Sequence, residues 1–341
     1  MLWTAAYMLS VSLNGNINIL NRSSSPSSSS IERTIQAHQV SITSLHFDHS
    51  TKRLYTGSFD GVICTYDFNA GVKTDCVRLL GTDKRHISAG VHSGKVSGIC
   101  TIGDSVISVG WDDKLRMGSQ TSLSYTEEGS VSGQPCHLSS CPSTTDLVLV
   151  ITTAEIAVYR GLSKVTSLSV ASLGYDPICG ALLNEEEVAI GGSDSKTHIY
   201  SITISGTIIT LVAVTSISTR SAVSALAYHP DGTSLAIGDD GRQVEVYERG
   251  TWVAKIKNKW AFHSSKITCL SWSINGDYLA SGSLDENIYV WDLHHPDAKL
   301  QIPFSHKGGV TGVAWLAVDK LVSSGNDHAV VTWNIPSIIS K

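Results

Sequence analysis

A chain of 341 residues that is 42% hydrophobic and 16% charged, with 29 glycines against 8 prolines, has the make-up of a folded, water-soluble body with a large core, which excludes disordered and fibrous polymers. Its formal charge of −5, from 25 Lys and Arg against 30 Asp and Glu with no long basic cluster, argues against nucleic-acid binding, because a duplex-tracking surface needs concentrated positive charge. The longest apolar stretches, 147–153 and 208–214, fall far short of the roughly 18–20 residues of a bilayer crossing, so no membrane partner is expected.

In chain order, the opening MLWTAAYMLSVSL lacks the basic lead of a secretory signal and runs into the turn signal Asn14-Gly15. Residues 7–22, YMLSVSLNGNINILNR, read as strand, Asn-Gly turn and strand. The tract SSSPSSSS at 23–30 has the composition of a linker, and 31–37 has the apolar content of a further strand. From His38 a unit begins that contains ITSLHF and LYTGSFDGVICTYD. It is echoed in full by His263 through ITCLSW, DYLASG and NIYVWD, and again from His306 to Trp333-Asn334. Seven cysteines, an odd number, at 64, 76, 100, 136, 141, 179 and 269, several of them inside alternating apolar runs, point to reduced, buried thiols in a cytoplasmic protein.

Aligning the end of the third strand of each unit gives Tyr66, Gly118, Tyr159, Tyr200, Tyr247, Trp291 and Trp333, with steps of 41 to 52 residues. That period matches the ~40–45 residues of a WD-repeat blade, so the expected fold is all-β, a seven-bladed WD-repeat β-propeller over 31–336. The last unit ends without a fourth strand of its own, and 31–37 is expected to close the ring beside 330–335. Residues 1–22 are then left over as a half-blade remnant of a preceding propeller, joined by the 23–30 linker. The other reading of the tract is a long loop within an eight-bladed ring.

A leading His and a turn Asp recur about twenty residues apart: His38 with Asp60, His92 with Asp112, His263 with Asp285 and His306 with Asp327. Their fixed return beside a strand-ending aromatic predicts structural bracing, the carboxylate accepting the imidazole proton, rather than acid–base catalysis. The units ending at Tyr159, Tyr200 and Tyr247 lack the leading His, and the first of them lacks the Asp as well. Strand pairing and core packing alone are expected to hold those three. Residues beside the turn Asp project at the rim, which makes Phe59, Trp111 and Leu284, with Arg242 in the turn Asp239-Asp240-Gly241-Arg242, the candidates for partner binding.

Several segments resemble the C-terminal half of the actin-interacting protein 1 family, two-propeller WD proteins that assist cofilin in taking actin filaments apart. They are MLSVSLNGNINILNR, LYTGSFDGVICTYD, GWDDKLRMGS with Gly118-Ser119 in place of Trp-Asp, the GYDP turn at 174–177 followed by VAIGGSDSKTHIYSI, and the last two units. The resemblance implies a monomeric protein of the cytoplasmic actin cytoskeleton. It would bind actin filaments and cofilin, promote severing or disassembly, and restrain barbed-end growth. No convergent set of acids, bases, nucleophiles or metal ligands stands out in the sequence, so neither enzymatic activity nor a cofactor is expected. Only the second of the family's two propellers is expected to be complete. A general WD interaction scaffold without actin specificity is the alternative.

Other motifs carry little chemistry. Cys136-His137 with Cys141 matches no zinc spacing and reads as loop and core. The segment His294-His295-Pro296-Asp297 reads as an exposed turn, and Glu185-Glu186-Glu187 as a solvated hairpin tip. Asn21-Arg22-Ser23 is a glycosylation sequon without a secretory signal, and no GxxxxGK[ST] phosphate loop is present.

Overall fold

Successive side chains leave a strand on opposite faces, so runs with an apolar residue at every second position bury one face each. The computed structural model describes residues 2–3, 7–11, 17–21, 30–36, 38–68, 76–78, 91–140, 146–205 and 208–336. Their strands assemble into seven antiparallel four-stranded sheets and one smaller sheet. The innermost strands of blades 1 to 7 are Ile42–Asp48, Val96–Ile102, Pro135–Ser140, Pro177–Leu183, Val223–Tyr228, Ile267–Trp272 and Val310–Ala317. Each packs on the next, and the last packs on the first, which closes the ring at seven blades and disposes of the eight-bladed reading.

The ring has no single core. Each of the seven interfaces between neighbouring blades holds its own apolar cluster. The strand Leu147–Thr152 shows why: Leu147, Leu149 and Ile151 pack on Leu182, Val188 and Ile190 of blade 4. Val148 and Val150 point the other way, onto Ile107 and Leu115 of blade 2. Both faces are covered, so the strand is buried throughout and reads as an unbroken apolar run. Each such Leu, Val or Ile stabilises the fold by roughly 1.5–3 kcal/mol. At the ring's inner edge, side-chain hydroxyls tie one blade to the next. Thr43 Oγ1 donates to the Val96 carbonyl at 2.7 Å, Ser97 Oγ to Pro135 at 2.8 Å, and Thr268 Oγ1 to Val310 at 2.7 Å.

The closing strand is Ser30–Gln36, paired antiparallel with Ala329–Asn334 from Gln36 opposite Ala329 to Ser30 opposite Asn334. It starts one residue earlier than expected, so Ser30 is strand rather than linker; residues 22–29 and Ala37 lie outside the described residues. An N-terminal segment thus removes the open edge that the last blade would otherwise present. Ahead of it, Leu2–Trp3, Tyr7–Val11 and Ile17–Asn21 form a separate three-stranded sheet, one strand more than the sequence pattern indicated. Among the described residues no helix is long and apolar enough to cross a membrane.

Candidate functional site

One end of the ring carries the turns between second and third strands together with the loops that lead into each innermost strand. In blade 6, His263 Nδ1 donates to Asp285 Oδ2 at 2.9 Å, Ser281 Oγ lies 2.8 Å from His263 Nε2, and Trp291 Nε1 donates to Ser281 Oγ at 2.8 Å. The imidazole thus links indole, hydroxyl and carboxylate in one chain, with both of its ring nitrogens partnered. Burial pushes the Asp285 carboxyl up, but His263 and the backbone N–H groups of Ser264 and Asn287 outweigh it and hold the group down at about 2. Blade 7 repeats the arrangement: His306 Nδ1 to Asp327 Oδ1 at 2.8 Å, His306 Nε2 to Ser323 Oγ at 2.7 Å, and Trp333 Nε1 to Ser323 Oγ at 2.7 Å.

Blade 2 keeps His92 on Asp112 at 2.7 Å and on Ser108 at 2.8 Å, but Gly118 stands where the indole belongs. A Cβ at Gly118 would lie 2.4 Å from the Ser124 carbonyl oxygen, so the outer strand's backbone has taken the side chain's place. The blade adds a cation that the sequence reading missed: Arg116 Nη1 lies 2.5 Å from Asp112 Oδ2, and Nη2 reaches Glu128 at 3.3 Å. Against the upward push of burial, His92 and Arg116 together hold the Asp112 carboxyl far below its usual range. In blade 1, His38 Nε2 contacts Thr56 Oγ1 at 2.8 Å, and Asp60 Oδ1 accepts from Ser58 Oγ and from the Val62 N–H. These bonds hold the turn that carries Phe59.

Blades 3 to 5 are not left to packing alone, contrary to expectation. Thr152 Oγ1 donates to the Ser132 carbonyl at 2.6 Å and accepts the Glu155 N–H at 2.9 Å. In blade 4, Tyr175 and Tyr200 share a hydrogen bond of 2.7 Å, and Tyr175 stacks on His198 with ring centroids 3.8 Å apart. In blade 5, Tyr247 donates to Glu245 and the Gln243 N–H to Asp239. The acidic triplet at 185–187 does sit at a hairpin tip, with Glu186 exposed as expected, and it is ion-paired there as well. Arg160 of blade 3 reaches Glu185 at 3.3 Å, while Arg249 of blade 5 holds Glu186 at 2.7 Å and Glu187 at 3.4 Å. Tyr228 also donates to Glu187 at 2.7 Å. The carboxylates of blade 4 are therefore clasped from both neighbours, a pairing across some 25 to 63 residues that local sequence does not reveal.

On this braced frame the rim side chains are presented to solvent. Phe59 and Trp111, from adjacent blades, meet edge to face with centroids 5.9 Å apart and still stay 53% and 43% exposed. Lys95 Nζ stands 5.2 Å from the Trp111 ring. Leu284 is exposed further round the ring against Gly309, and Arg242 is exposed in its turn with φ 73°. Two exposed aromatics at the same end went unnoticed in the sequence. Phe262 lies under Lys299 Nζ at 3.5 Å, and Phe304 is held by its N–H to Asn287 Oδ1. Phe262 directly precedes a leading histidine and Phe304 stands two residues before the next, which was the available signal.

The remaining candidates sit elsewhere. Cys136 and His137 belong to the innermost strand of blade 3 and help line a central cavity of about 330 Å³. Burial lowers His137 to about 4, and Cys141 lies outside the described residues. His294 and His295 are exposed, their N–H groups capped by Asp292 Oδ1 at 2.7 and 2.8 Å. Among the described residues no group of three His, Cys, Asp or Glu is placed to hold a metal ion. The face offers aromatic and cationic groups on rigid turns, which is the chemistry of macromolecular contact.

Comparison with known proteins agrees with the repeat. The family model described as WD domain, G-beta repeat, matches residues 29–67, 211–248 and 255–292. The chain is 32% identical over 336 residues to a 66 kDa stress protein of Physarum polycephalum and 30% identical over 345 residues to actin-interacting protein 1 of Caenorhabditis elegans. It is also 30% identical over 342 residues to actin-interacting protein 1-2 of Arabidopsis thaliana. These alignments cover 98% of this chain and 52% of each relative, so the chain spans about half the length of the curated relatives it matches.

Proposed function

From the premise that the chain is a WD-repeat propeller related along 98% of its length to about half of actin-interacting protein 1, we propose that it binds actin filaments and assists cofilin in severing and disassembling them, restraining barbed-end growth. In this reading it works in the cytoplasm as a non-enzymatic binding module, and residues 1–22 are the closing piece of a preceding propeller, joined through 23–30 to the ring at 31–336. Contact is made through the face that carries Phe59 and Trp111, with Leu284 and Arg242 further round the rim.

The observation that carries the site is the aromatic pair itself. Two large rings from neighbouring blades support one another, yet keep about half of their surface in water, beside a lysine. Such an anchor is ordered before binding and loses little side-chain entropy on contact. The test is cosedimentation with cofilin-coated filaments, comparing the parent chain with Phe59→Ala/Trp111→Ala. A loss of roughly tenfold or more in affinity is expected if the pair is a hot spot. Unchanged binding by a folded variant rejects the site, and no effect of the parent chain on filaments at any cofilin ratio rejects the function.

A further inference from the structure

We propose that the outer strand of blade 4, Ile208–Ser218, is a docking edge for the same strand of a second copy of this chain. The outermost strand of a blade has one side hydrogen-bonded to its neighbour and the other side open, so it is a template for another strand. The other six outer strands are each marked by charge: Arg78 in Cys76–Arg78, Glu127 and Glu128 in Ser124–Ser130, Lys164 in Ser163–Ser169, three lysines in Ala254–Trp260, Lys299 in Lys299–Ile302, and Glu32 and Arg33 in Ser30–Gln36. Such charges, above all lysine, are how sheets discourage edge pairing.

Ile208–Ser218 departs from this on every count. At 11 residues it is the longest outer strand described, and no Asp, Glu, Lys or Arg occurs between Lys196 and Arg220. It is β-branched along most of its length and keeps Val212 49% and Val214 57% exposed. The register shift opposite Ile199 and Tyr200 does not set it apart, since blades 2, 3, 5 and 7 show shifts between the same two strands.

The sequence IITLVAVTSIS partly matches its own reverse. About Ala213, Val212 faces Val214, Thr210 faces Ser216 and Ile209 faces Ile217, while Leu211 falls opposite Thr215 and Ile208 opposite Ser218. An antiparallel pair of two copies centred on Ala213 therefore sets like beside like at three of the five pairs around a two-fold axis, with no charge at any of them to oppose it. This replaces the single-chain state expected from sequence with a two-fold pair of discs joined edge to edge.

Size-exclusion chromatography with light scattering from about 1 to about 200 µM reads the concentration-dependent mass directly. A dimer is expected, with a dissociation constant raised at least about tenfold in Val212→Lys/Val214→Lys, which sets lysines against lysines across the axis. Ala213→Cys gives an independent readout. At the centre of an antiparallel pair its Cα atoms would stand about 4.5–5.5 Å apart, within disulfide reach, so oxidation should yield a covalent dimer beyond that of the parent chain treated alongside. Ala213 is exposed, so this variant keeps its fold and decides the matter even if the lysine pair does not. Monomer mass at every concentration without cross-linking overturns the proposal, as does a dimer untouched by Val212→Lys/Val214→Lys.

Discussion

Asp285→Asn tests the bracing account in a single atom. The Asp285 side chain is only 3% exposed, so the interactions it makes are not discounted by water. It accepts from His263 Nδ1 at 2.9 Å, from the Ser264 N–H at 2.7 Å and from the Asn287 N–H at 3.0 Å. Its carboxyl stands at about 2 in the folded chain against an ordinary 3.8. A depressed carboxyl contributes stability that is complete above the unfolded value and is lost as pH falls through the folded one. That difference corresponds to about 2 kcal/mol, present in full above about pH 4 and fading toward pH 2. The asparagine keeps the shape and one acceptor but removes the charge, so the expected cost at pH 7 is about 2–3 kcal/mol. Urea unfolding at pH 7 and again at pH 3 measures it, and the gap between parent and variant should shrink at the lower pH. Asp240→Asn is the control: its pair with Lys266 at 3.0 Å is solvent-exposed and should matter by less than about 0.5 kcal/mol. A cost for Asp285→Asn below about 0.5 kcal/mol, or one that does not change with pH, refutes the reasoning.

Gly118→Ala should destabilise by about 1–3 kcal/mol, because the new methyl meets backbone rather than a movable side chain; thermal unfolding would show it. Arg249→Ala should cost about 1–2 kcal/mol, since it leaves the largely buried Glu187 with a tyrosine hydroxyl but no cation, and Glu187→Gln in the same background should recover part of the loss in a double-mutant cycle. Thiol reactivity should divide by burial. Cys136 is exposed, whereas burial pushes the Cys100 and Cys179 thiols up to about 12, so alkylation of the native chain at pH 8 followed by peptide mapping should mark Cys136 and spare the other two until denaturant is added.

The parts of the architecture that depend on local pattern were legible. ITCLSW, DYLASG and NIYVWD alternate with period two and are punctuated by Asn-Gly and Asp turns, so their strands follow from side-chain geometry alone. The recurring His and Asp likewise announced where a turn and a leading loop meet: His92 with Asp112, His263 with Asp285 and His306 with Asp327 stand within 2.9 Å in space. The closing strand was legible by elimination, because the last unit lacked a fourth strand and 31–37 had no other partner.

What escaped the sequence is contact between side chains that local pattern does not pair, across blades and within them. Glu185-Glu186-Glu187 is a polar hairpin tip by local criteria, and only the ring brings Arg160 and Arg249 to either side of it. Arg116 looks like an ordinary strand residue until the fold sets it over Asp112. Tyr175 reaches Tyr200 in a blade without a leading histidine, and Phe59 finds Trp111 across a blade boundary. The amino-acid order by itself determined most of the strands, their turns, the repeat and the segment that seals the ring, because those depend on periodicity and on bonds to near neighbours; the packing of the last innermost strand on the first decided seven blades over eight. The tertiary structure decided which charges clasp, which rings are left in water and which outer edge is unguarded. Those outcomes depend on which side chains the finished sheets, and the ring they form around one axis, bring together or leave uncovered.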